Sequence, residues 1–129
     1  MSHDNAVQDG ASGRDLARQP VSALLWWMLP AAIAIASSNI GIPVRDKAWV
    51  WSAAFAWMAI GCLLNEYRCR RLHCYMSGPV LLIGAGATAL IGSGMLDTHA
   101  FSSVIDVTII LVCLSFVPEW LWGKYRTAR

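Results

Sequence analysis

An all-α bundle of four transmembrane helices, with both termini in the cytoplasm, is the fold this sequence predicts. Three observations predict it: a strongly apolar composition, four apolar stretches of spanning length, and an uneven distribution of Lys and Arg. Of the 129 residues, 57% are hydrophobic and 14% charged, well below the roughly 25% charged usage of soluble domains. Once tails and loops are set aside, nothing remains that is long enough to build a soluble core or a separate catalytic domain. The expected solvent is lipid, and nucleic acid is not an expected partner.

The elements follow in order. Residues 1–20 are polar, rich in Gly and Ser and without apolar periodicity, and are expected to form a disordered cytoplasmic tail. Three Asp near the start and a long following apolar stretch argue against a secretory leader. Apolar segments then run over 21–42, 48–64, 79–96 and 101–122, followed by a basic cytoplasmic tail over 123–129. Each segment is close to the ~20 residues that cross a ~30 Å hydrocarbon core, the second and third only if they stand nearly upright. Arg14, Arg18, Arg68, Arg70, Arg71, Lys124, Arg126 and Arg129 fall on one side and only Arg45 and Lys47 on the other. By the positive-inside rule that side is the cytoplasm, and the membrane is expected to be a bacterial inner membrane. Trp26, Trp27, Trp120 and Trp122 fall at the inner interface, and Trp49 and Trp51 at the outer one. Gly84, Thr88 and Gly92, with Gly86 and Gly94 nearby, give the third segment a small-residue face and make it the expected centre of the bundle. Pro30 is expected to kink the first segment, and Pro79 to open the third.

The chemistry-bearing stretch lies between the second and third segments and carries Cys62, Glu66, Cys69, His73 and Cys74. Continued as a helix, positions 62, 66, 69 and 73 return to one stripe, because about 100° per residue brings such offsets together. Cys62 and Cys69 would lie about 10 Å apart along that stripe and could not share an ion. Cys69 and His73, one turn apart, could, with Cys74 joining if the helix unwinds near Ser77-Gly78. Cys62 would serve as a relay within the membrane. Thiolate and imidazole ligands favour Hg(II), Cu(I) or Zn(II) over Mg(II) or Ca(II), and the adjacent arginines raise the thiolate fraction. The competing reading makes the cysteines ordinary small apolar residues, above all Cys62 and Cys113, and the arginines topology determinants. Asp106 and Glu119 lie near interfaces, where they can snorkel or cap, and Glu66 and Glu119 fall at the same depth as Cys69.

The run Cys69-Arg70-Arg71-Leu72-His73-Cys74-Tyr75-Met76-Ser77-Gly78-Pro79 resembles the loop of a group of small, largely uncharacterised bacterial membrane proteins with a Cys-Gly-Arg-x-His-Cys-x-x-Thr-Gly-Pro pattern. Arg70 and Ser77 depart from it. A looser similarity to four-helix mercury-resistance membrane transporters implies paired cysteines handling a metal. Those transporters usually hold cysteines in the first helix, where this chain has none. The expected function is therefore a non-enzymatic membrane protein that binds or transports a soft or borderline metal through Cys69, His73, Cys74 and Cys62. So narrow a bundle would call for a homodimer if it transports. The alternatives are a non-catalytic accessory or assembly subunit, and a thiol-redox protein, although the latter would want its cysteines on the outer side. A multidrug exporter is excluded by the lack of an acid deep in the first segment. No phosphate loop or Ser-His-Asp order is present.

Overall fold

The computed structural model describes residues 15–122, apart from the side chains of Cys69 and Trp122. Most of the expected tail over 1–20, and the whole of 123–129, lie outside the described residues. Residues 15–20 correct the expectation of a disordered tail, because they are folded against the bundle. A 3-10 turn at Leu16–Arg18 is capped by the Asp15 side chain, which accepts from Ala17 N at 2.9 Å, and Asp15 and Leu16 are both buried. Their polarity suggested solvation, but their partners come from distant parts of the chain.

Four helices long and apolar enough to cross a membrane follow. The first, α1, runs over Pro20–Asn39, with Pro20 in its opening turn. The expected distortion at Pro30 takes the form of a wider turn over Leu24–Met28, in which Leu29 N donates to the Leu24 carbonyl. Proline has no N–H and its ring crowds the carbonyl four residues back, and a wider turn relieves that crowding without unwinding the helix. Near the far end, Ser37 and Ser38 both donate to the Ala34 carbonyl and Asn39 donates to the Ile35 carbonyl, so polar side chains are satisfied inside the helix.

Helix α2 spans Val44–Cys69 and α3 spans Leu72–Gly92. Both exceed the apolar segments read from the sequence, and at 26 and 21 residues neither has to stand upright to cross. Pro79 accordingly lies inside α3 and not at its start. The turn between them is two residues long. Arg70 adopts a left-handed conformation (φ 52°, ψ 41°), and its N–H donates to the Glu66 carbonyl at 2.7 Å. Among the described residues it is the non-glycine with positive φ, and it occupies the place where the resembled pattern has Gly. The fourth span, Ala100–Leu121, consists of α4 (Ala100–Leu114) and α5 (Val117–Trp122), separated by a turn at Ser115 and Phe116.

Consecutive helices pack side by side. The α2–α3 seam is the most extensive, α3 also packs on α4, and α1 packs on α2, whereas α1 and α4 scarcely touch. Helix α3 is thus central, as its small residues predict. A Cβ at Gly84 would come within 2.7 Å of Thr108 Cγ2, and one at Gly92 within 2.9 Å of the Trp49 ring. Gly86 faces open space, and Gly94 (φ 81°) reverses the chain after α3. The core contains Ala34, Trp51, Phe55, Leu81 and Ile105. Trp51 therefore departs from its expected interfacial place: it is buried edge-on to Phe55, with its N–H donating to Ser38 Oγ at 3.0 Å. Large apolar side chains such as Ile33, Ile60, Ile83, Val107 and Ile110 face outward, as a bilayer requires.

Candidate functional site

The turn at Arg70 decides the site. Because α2 ends at Cys69, the stripe expected from Cys62 through Glu66 and Cys69 to His73 does not form; His73 and Cys74 stand on the first turn of α3 instead. That turn swings Cys74 back against α2. Cys62 and Cys74 both lie in the buried core, Cys62 packed against the α3 turn that carries Ser77 and Gly78. The helical reading had separated Cys62 from the other candidate ligands and assigned it a relay role; the fold makes it half of a pair. The Cys69 side chain lies outside the described residues. Cys113 sits exposed on α4.

Each thiol has further polar neighbours. Trp27 Nε1 donates to Cys62 Sγ at 3.3 Å, and Ser77 Oγ donates to the same sulfur at 3.5 Å. Asn65 Nδ2 donates to Cys74 Sγ at 3.5 Å, while His73 Nε2 lies 3.3 Å from Cys74 Sγ. The other imidazole nitrogen, Nδ1, contacts Glu119 Oε2. A carboxylate accepts only, so Nδ1 carries the proton and Nε2 is left to accept from the Cys74 thiol. The result is a thiol–imidazole–carboxylate chain, with the Phe116 ring stacked on His73 at a centroid distance of 4.4 Å.

Beyond Glu119 the chain continues into an ion-pair network. Arg71 bridges two carboxylates, with Nη1 at 2.6 Å from Asp15 Oδ2 and Nη2 at 3.2 Å from Glu119 Oε1. Asp15 also accepts from Asn65 Nδ2 at 3.0 Å, and Asn65 Oδ1 accepts from Leu16 N at 2.8 Å. Burial disfavours the Arg71 charge, but the Asp15 and Glu119 carboxylates outweigh it and raise its pKa above the ordinary arginine value. Since its folded pKa lies above its unfolded one, the stabilising effect is fully present below the ordinary arginine pKa, so Arg71 stays charged throughout the working range. No buried side-chain nitrogen or oxygen among the described residues lacks a partner. The contacts of Asp15, Arg71 and Glu119 also place the start of the described chain, the α2–α3 turn and the end of the fourth span at one end of the bundle.

No protein-family model, curated protein or solved structure matches this chain. The site is therefore read from its own chemistry. Among the described residues, no group of three or more His, Cys, Asp or Glu side chains is placed to hold a metal ion, because the carboxylates that come near are taken up by Arg71 and His73. Two thiols remain, with an imidazole positioned to accept a proton from one of them. Sequence reading found Cys62, His73 and Cys74 by residue type. It missed Asp15 and Asn65 altogether, and it treated Glu119 as an interfacial cap.

Proposed function

We propose that this chain is a non-enzymatic, multi-pass protein of a bacterial inner membrane, with both ends in the cytoplasm, that binds a soft metal ion between the thiolates of Cys62 and Cys74. The observation that carries the reading is the placement of these two buried thiols in one core cluster, beside an imidazole whose other nitrogen is held by a carboxylate. Thiolate is the ligating form, so metal capture must release protons. His73 Nε2 is the acceptor for the Cys74 proton, and Glu119 stabilises the imidazolium that results. Two sulfur ligands suit Hg(II) or Cu(I), which accept two-coordinate geometry, better than Zn(II), which requires about four ligands. Arg71 supports the thiolates by its charge, and the Asp15 contact closes the cluster toward the N-terminal segment.

The test is the stoichiometry of Hg(II) and Cu(I) bound by the detergent-purified protein. Cys62→Ser/Cys74→Ser is expected to abolish tight binding, and Cys69→Ser to leave the ion at this pair in place. Tight binding that survives loss of both Cys62 and Cys74 would remove the basis of the proposal. The same pair of core thiols supports a second reading, a dithiol that cycles through a disulfide. An intramolecular Cys62–Cys74 disulfide in protein isolated from cells with thiols trapped by alkylation would favour that reading over metal binding.

A further inference from the structure

A cavity of about 480 Å³ occupies the gap between α1 and α4. It lies within the volume range of small-molecule sites, about 300–1,000 Å³, and its sulfur content sets it apart. Of the four cysteines and five methionines in the chain, two of each line this cavity: Cys62 and Cys113, Met28 and Met58. Cys62 therefore borders this cavity and shares the core cluster with Cys74. Met58 precedes it by four residues on α2, about 6 Å farther into the bundle at 1.5 Å per residue. Cys113 is one turn before Phe116, the residue stacked on His73, so it too lies inward of the imidazole.

We propose that this cavity is a second station for a soft monovalent cation of the Cu(I) or Ag(I) class, ligated by the Met28 and Met58 thioethers and the Cys62 and Cys113 sulfurs, with Cys62 shared between the two stations. The inference rests on metal binding at the Cys62–Cys74 pair and extends it inward.

Three features argue for that ion class. Thioether is a neutral, soft donor that binds Cu(I) or Ag(I) and offers little to harder divalent ions. Among the described residues the cavity wall contains no carboxylate, so one thiolate is the negative charge most readily available. A monovalent ion with one thiolate is neutral and bears little desolvation cost at membrane depth, whereas a divalent ion would leave a net charge there. Finally, Arg71 lines the same cavity, and its guanidinium repels a divalent cation about twice as strongly as a monovalent one while favouring thiolate at the neighbouring sulfur. Methionine alone is an ordinary gap filler, but two thioethers lining one cavity together with two cysteines supply the donor types of a soft-metal ligand set. Entry is a ligand exchange: the incoming cation displaces the thiol proton of Cys62, and a thiolate can bridge two such ions.

Ag(I) titration of the detergent-purified full chain, followed by native mass spectrometry with Zn(II) as a parallel probe, tests the inference. Wild type is expected to take two Ag(I), and Zn(II) to displace neither of them. The volume-conserving pair Met58→Leu/Cys113→Ala is expected to take one, the affinity for the second ion falling at least tenfold. The ion retained at Cys62 and Cys74 would show that this variant is folded. A single Ag(I) in wild type, or two in the variant, overturns the second station and leaves the thiol-pair reading intact. No Ag(I) or Hg(II) in wild type overturns both.

Discussion

The two ends of the bundle use the same kinds of side chain in opposite ways. At one end the buried Asp15, His73 and Glu119 are joined through the half-buried Arg71 in a continuous network beside two thiols. At the other, Arg45, Asp46, Asp97 and His99 are exposed around short turns. Solvated charges gain little from a partner and cost little without one. Buried charges are tolerable only when paired, and such pairs are weak stabilisers for their cost. A chain that needed only polar ends for its helices would resemble the second end. The first end requires desolvating a guanidinium and two carboxylates, and what this achieves is a fixed imidazole against Cys74.

That contrast is open to direct attack. Arg71→Ala leaves Asp15 and Glu119 as unpaired buried acids and is expected to destabilise the fold by about 3–5 kcal/mol, whereas Arg45→Ala is expected to leave unfolding in detergent unchanged. Equal effects at the two ends would dissolve the distinction. The next largest effect belongs to packing within α3. Gly84→Ala drives a methyl group into Thr108 and is expected to cost about 1–3 kcal/mol, while Gly86→Ala, facing open space, is expected to be neutral. The smallest concerns the turn that pairs the thiols: Arg70→Gly removes a left-handed strain of about 1–2 kcal/mol and is expected to raise the unfolding midpoint slightly with metal binding unchanged. A loss of stability there would show that the Arg70 side chain has a role of its own.

The spans were legible because lipid enforces them: four apolar stretches have no alternative to helix. Their ends were not. Asn65, Glu66, Tyr67 and Arg68 are polar but compatible with helix, so α2 continues past the point where hydropathy fades. Ser77-Gly78-Pro79 has the look of a helix start, yet α3 begins at Leu72. At the site, Cys62, His73 and Cys74 stood out as residue types, but the pairing of Cys62 with Cys74 depends on a left-handed turn made by an arginine, which no local pattern announces. Asp15 and Glu119 meet Arg71 across 56 and 48 residues of sequence. The available signal was charge balance: Glu119 is expected near the same interface as a run of arginines.

The claim on which the account turns is that Cys62 and Cys74, and not Cys69, are the ligating pair. It is tested most directly by loading the protein with one equivalent of Hg(II), unfolding it in SDS, alkylating the free thiols and mapping the label by peptide mass spectrometry. The account predicts that Cys62 and Cys74 are protected together while Cys69 and Cys113 are labelled. Protection of Cys69 with Cys74, and labelling of Cys62, would contradict it.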